Sequence, residues 1–161
     1  MAGAAYQPGA DHTMQHDSFD LERFVEAQAS NYEDALSELR AGSKQSHWSW
    51  YVFPQVRGLG SSPMSVRYAI KSTAEAKAFL AHPVLGPRLR ECVKVMMAQG
   101  GSDAARILGD IDAQKFRSSL TLFAQVAPDE RVFDEALKKY FDGVPDAKTI
   151  SILGSQPKGA K

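Results

Sequence analysis

Only one stretch of this chain has the aromatic and β-branched density of a strand. It is residues 47–53, His47-Trp48-Ser49-Trp50-Tyr51-Val52-Phe53, ended by Pro54. A lone strand has no ladder for its backbone N–H and C=O groups. Glycine, proline and capping residues divide the remainder into helical lengths. The expected fold is therefore mainly α: a compact single-domain bundle of about six to eight helices. Segment 47–53 stays open between a short β-like element and a buried helix. A small α+β arrangement with one hairpin is the runner-up.

The apolar spacing predicts a first helix over residues 19–40, capped by Ser18. Leu21, Val25, Gln28, Tyr32, Ala35, Leu36 and Leu39 form its buried stripe, and Gly42 closes it. A Gly-rich loop over residues 55–61 leads to a short helix opening at Pro63 with Ser62 as its cap. Ser72-Thr73-Ala74-Glu75 reads as a capping box for a helix ending before Pro83. Pro87 opens the next, which carries Leu89, Val93 and Met96. Ser102 caps a short one ending at Gly109. Asp110 or Asp112 caps a long helix with Phe116, Leu120 and Phe123, the next is marked by Val132, Phe133, Leu137 and Tyr140 and stops at Gly143, and Asp146 caps a last turn through Leu153. Residues 1–17 and 155–161 are polar and non-periodic and read as disordered tails, leaving residues 18–154 as one helical domain.

Lys+Arg and Asp+Glu are 19 each, so the chain lacks the basic excess of a generic nucleic-acid binder. Its one cysteine, Cys92, permits no intrachain disulfide, which suits a reducing compartment. No signal-peptide pattern and no apolar run long enough to span a bilayer are present, so a cytoplasmic location away from membranes is expected. No His/Cys/Asp/Glu spacing resembles a metal site, and no cofactor is called for.

The stretch from Lys44 through the aromatic run to Gln55, then Gly58-Leu59-Gly60, resembles a bacterial family catalogued as domain of unknown function 1810. Phe24 to Gln28, Tyr68 to Ile70, His82 to Gly86 with Arg88-Leu89, and Ser118 to Phe123 agree with it. The resemblance covers about residues 19–153. Leu120 stands where methionine is common and Leu108 where phenylalanine is common, both apolar exchanges. It implies a mainly helical fold and no established activity. Members are sometimes labelled calpastatin-like, but calpastatin's inhibitory segments are disordered peptides, whereas this chain has the periodicity of a self-folding domain. A slighter similarity is to the NAD- and ADP-ribose-associated domains: a Trp/His element, a glutamine, a small helical body and a Lys-Phe pair like Lys115-Phe116.

Several residues suit the chemistry of a ligand site. Gly58, Gly60 and Ser62 precede a helix start, where exposed N–H groups and the dipole attract an anion, and Arg57 can add a bidentate contact. The run is neither a Walker loop nor a dinucleotide fingerprint, and a tight connection with an N-cap also explains it. Trp48 and Trp50 can stack on a flat ligand or fill the core, and His47 can transfer protons. Lys44 and Gln55 are polar flanks of a stretch that otherwise reads buried, so they need partners. Lys115 and Ser119, four apart, can hold one charged group or form a solvated face. Asp110 and Asp112 read as caps, His82 as a partner of helix-terminal carbonyls, and Cys92 as a buried thiol. His12 and His16 fall in the N-terminal tail.

Together these residues suggest an enzyme or sensor for a small phosphate-bearing molecule, such as a nucleotide or an ADP-ribose derivative. His47 would be the catalytic residue. Lys44, Trp48, Trp50, Gln55, Arg57, Gly58, Gly60, Ser62, Lys115 and Ser119 would bind the ligand. A non-enzymatic module for an unknown protein partner is the alternative. Nucleic acid would return only if Lys44, Arg57, Arg67, Arg88 and Arg117 shared a face.

Overall fold

The computed structural model describes residues 17–155. Among them are ten helical segments and no strand: α1 (Glu22–Ala29), α2 (Tyr32–Ala41), α3 (Ser49–Val52), α4 (Pro63–Arg67), α5 (Thr73–Ala81), α6 (Leu85–Ala98), α7 (Ala104–Leu108), α8 (Asp110–Val126), α9 (Arg131–Phe141) and α10 (Ala147–Gly154). The protein is mainly α. Apart from Asp17 and Ser155, the two expected tails lie outside the described residues. The ambiguous aromatic segment contains the helical turn α3. Its extended continuation makes only a single parallel bridge, between Val56 and Ile70.

The expected first helix is two helices. Asn31 donates its side-chain amide to the Ala27 carbonyl at 2.9 Å, and its own carbonyl starts α2 by accepting from Ala35. A short polar side chain thus offers the backbone an alternative to a continuous helix. The cap of α1 is the carboxylate of Asp17, not Ser18, and it accepts from the N–H groups of Leu21 and Glu22. Asp103, rather than Ser102, caps α7. Helix α6 begins at Leu85, two residues before Pro87, because His82 Nδ1 accepts from the N–H groups of Val84 and Leu85. His82 therefore ends α5, its N–H donating to the Phe79 carbonyl at 3.2 Å, while its ring serves the start of α6. Neither Asp110 nor Asp112 caps α8, which is preceded by Gly109 at φ 86°.

Helix α8 is the longest and contacts α3, α5, α7, α9 and α10, while α6 packs on α2, α5 and α9. Between them runs a core of edge-on and tilted rings. Phe24 meets Phe79, Phe79 meets Phe123, and Phe53 meets Phe116 with centroids 4.7 Å apart. Gly86 lets α6 cross α5: a Cβ there would lie 2.1 Å from the Leu80 carbonyl oxygen.

One buried cation joins the local pieces. The Arg23 guanidinium donates to the carbonyls of Phe19, Asp20, Arg67 and Ala69 and to Glu75 Oε2 at 2.8 Å. Those bonds use all five of its N–H donors. Glu75 Oε1 accepts from the Lys71 N–H, while its own N–H donates to Ser72 Oγ. The expected capping box is therefore half local, because its acid is turned toward α1. Lysine keeps the charge but has three donors and no planar fork. We expect Arg23→Lys to lower stability by about 2–4 kcal/mol, since it leaves buried carbonyls without donors. Urea unfolding measures this, and a change below about 0.5 kcal/mol would contradict the assignment.

Candidate functional site

The site begins with Glu38 on α2. Its carboxylate accepts from the N–H groups of Gln45 at 2.9 Å and Ser46 at 3.0 Å, from Ser46 Oγ, and from Trp48 Nε1 at 2.8 Å. Burial pushes its pKa up, but these four bonds outweigh it and hold the group down to about 2. One carboxylate thereby folds residues 45–48 against α2. The Lys44 N–H also donates to the Ile107 carbonyl at 2.9 Å, tying the segment to α7.

This loop delivers Lys44 to the first turn of α8. Lys44 Nζ lies 2.8 Å from Asp112 Oδ2, donates to the Ser46 carbonyl, and sits 4.9 Å from the Trp48 ring centroid. Lys115 Nζ lies 3.3 Å from the other oxygen of Asp112 and 5.0 Å from the Trp50 ring centroid. One carboxylate thus bridges two ammonium groups, each resting on an indole face. The lysine side chains are only 6% and 17% exposed, unusual burial for this residue type. Burial raises the Asp112 pKa, but hydrogen bonds and charge from Lys44 and Lys115 outweigh it and keep it below the usual carboxylate range.

Lys44, His47, Trp48, Ser49, Trp50, Ile111, Asp112 and Lys115 line one cleft of about 260 Å³. Five residues singled out in the sequence therefore meet: Lys44, His47, Trp48, Trp50 and Lys115. His47 is exposed at the mouth. Trp48 is 1% exposed, so it forms a wall and is not free to stack on a ligand, whereas Trp50 is partly accessible.

The remaining sequence candidates lie elsewhere. Gln55, Gly58 and Gly60 line a recess of only about 10 Å³ on another side of Trp50. Gly60 is pressed against Ser65, and Ser62 Oγ already accepts from the Ser65 N–H at 3.1 Å, so the glycine loop is closed on itself. Arg57 is exposed and lines neither space; its N–H pairs with the Ile70 carbonyl. Ser119 is buried one turn beyond Lys115, and its hydroxyl has no hydrogen-bond partner among the described residues.

Glu38 and Ser49 were not singled out in the sequence, and Asp112 was read there only as a cap. Nothing local marks Glu38, whose partners lie in the following loop. The Asp112–Lys115 spacing of three was a signal for a pair, but its link to Lys44 is purely tertiary. Cys92 is buried, which pushes its thiol pKa up to about 12 and keeps it inert. No group of three His, Cys, Asp or Glu among the described residues could hold a metal ion. No helix there is long and apolar enough to cross a membrane.

The family model described as "Protein of unknown function (DUF1810)" matches residues 18–153. The chain belongs to this family. A solved structure is similar over most of the chain: the crystal structure of a conserved hypothetical protein from Mycobacterium tuberculosis. It shares 48% identity, with 86% of this chain and 99% of that chain covered and a TM-score of 0.84. No curated protein matches the chain. The family therefore supplies a fold and no activity, and the cleft has to be read from its own chemistry.

The depressed Glu38 pKa carries a sign. Its stabilisation is fully present above the unfolded value of 4.5 and is lost as pH falls toward about 2. We expect Glu38→Gln to cost about 1–2 kcal/mol at pH 7 and progressively less on acidification through that window. Urea midpoints of both proteins at pH 7 and near pH 2 measure it. A penalty independent of pH would show that charge is not what holds the loop.

Proposed function

We propose that the cleft between residues 44–50 and the start of α8 binds a small molecule through a phosphate or comparable anionic group. The observation that carries this reading is the convergence of two largely buried ammonium groups on a single carboxylate. Lys44, Lys115 and Asp112 together bear a net charge of +1 on the wall of a half-enclosed cleft, where water screens them less than on an open surface. Such a group is costly to maintain unless a further anion joins it. Trp50 supplies a flat apolar wall, and exposed His47 stands at the mouth for any proton transfer near neutral pH.

The volume limits the ligand. At about 260 Å³ the cleft falls just short of the ~300–1,000 Å³ typical of sites for drug-sized molecules. It fits the phosphate-bearing end of a nucleotide or ADP-ribose-like compound, with the rest lying outward past Ile111. The glycine loop contributes no anion contact here, because Ser62 and Ser65 close it. The alternative, a protein-interaction module, gains no specific support. The large exposed apolar residues Val66, Ile111 and Val144 belong to three different segments, and single ones are ordinary. Nucleic acid gains none either: Lys44 is engaged by Asp112, Arg88 by Gln28 and Tyr32, and Arg117 by the Val144 carbonyl.

Amide NMR titration with inorganic phosphate, ATP, GTP, NAD and ADP-ribose tests this. We expect at least one compound to shift Lys44, His47, Trp50, Asp112 and Lys115 selectively. Lys115→Ala should weaken that compound about tenfold or more, while His47→Ala leaves binding intact and removes any turnover. An absence of localised shifts at millimolar ligand would remove the reading.

A further inference from the structure

We propose that the Ser49 hydroxyl is the third donor of an oxyanion receptor in this cleft, and that the group received is a phosphate monoester rather than a carboxylate. The inference rests on the reading of the cleft as an anion site and makes it specific. Ser49 lines the cleft between Trp48 and Trp50 and is 2% exposed. Its backbone is engaged, since its carbonyl accepts from the Phe53 N–H at 2.9 Å. Its hydroxyl has no hydrogen-bond partner among the described residues.

A buried hydroxyl without a partner destabilises the protein that carries it. Alanine would fill the same helical position with higher propensity and no polar group to desolvate. Nor does the hydroxyl act as a cap, because the cap position of α3 is Trp48 and no side-chain bond is made there. A group that folding does not need, on a residue that lines the same cleft as two ammonium groups, is suited to a ligand. Lys44, Lys115 and Ser49 all line this one space, so a bound anion that displaces the wall slightly can take a donor from each. A phosphoryl group presents three terminal oxygens to such a set, whereas a planar carboxylate presents two. Ser119, the other unpartnered buried hydroxyl, does not line the cleft and is not part of the receptor.

Phenyl phosphate and benzoate share a ring for Trp50 and differ in the acid group, so they serve as probes. Calorimetric titration should show the unsubstituted protein binding phenyl phosphate more tightly than benzoate. Ser49→Ala should weaken phenyl phosphate by roughly tenfold, the loss of one hydrogen bond to a charged group. It should change benzoate little and leave the thermal midpoint unchanged or higher. A midpoint lowered by several degrees would mean the hydroxyl is bonded within the protein and would overturn the proposal. Unchanged phenyl phosphate affinity in the variant, or equal affinity of the parent protein for both probes, overturns the receptor while leaving the cleft an anion site. Failure of the parent protein to bind either probe removes both.

Discussion

Arg23 uses every N–H of its guanidinium inside the protein, and the rest of the architecture follows from where those bonds go. Two reach the turn before α1, two reach the chain around residues 67–69, and one reaches Glu75 on α5. Holding residues 67–69 also positions Ile70, whose backbone pairs with Gln55 and Arg57. From the same helix, Gln28 donates to the Tyr51 carbonyl at 2.7 Å. The aromatic segment is therefore held at Tyr51 by a polar side chain of α1, and residues 55–57 after it pair with the chain that Arg23 positions. A domain with few regular long-range backbone pairs has replaced them with buried side-chain-to-backbone bonds, each individually expensive to leave unmade.

The candidate site repeats this device and leaves it incomplete. Glu38 satisfies the loop that carries Lys44, just as Arg23 satisfies the loop that carries Ile70. Beyond Glu38 the accounts stop balancing. Two ammonium groups share one carboxylate, and the buried hydroxyl of Ser49, which lines the same cleft, has no partner among the described residues. The core elsewhere is closely filled by rings and aliphatic side chains. Concentrated local disagreement with the rules that hold through the rest of a fold is what a functional site imposes on a stable domain.

Much of the helical organisation was legible because its signals are local. Ser62, Ser72 and Asp146 cap as their sequence contexts imply, and Gly42 ends α2 in the left-handed region. The break at Asn31 was not legible, because the apolar stripe of residues 21–39 continues through it. The aromatic run could be placed only by its neighbours: Trp48 and Phe53 fill the core, while Trp50 faces the cleft. In the site, Lys44, His47, Trp50 and Lys115 were identifiable by residue type, and their meeting is a tertiary fact. Asp112 was mistaken for a cap, since an acidic residue early in a helix fits both roles. The glycine loop was misleading in the same way: its composition fits an anion cradle, but packing of Gly60 on Ser65 closes it.

On the reading proposed for the cleft, the positive charge of Lys44 and Lys115 receives an external anion. The most direct measurement is a crystal structure of the protein grown in inorganic phosphate, with the pH held near neutral. We expect a tetrahedral anion in the cleft, within hydrogen-bonding distance of both lysine ammonium groups. Well-ordered crystals in which that cleft holds only water, with Asp112 as the sole counter-ion to both lysines, would contradict it.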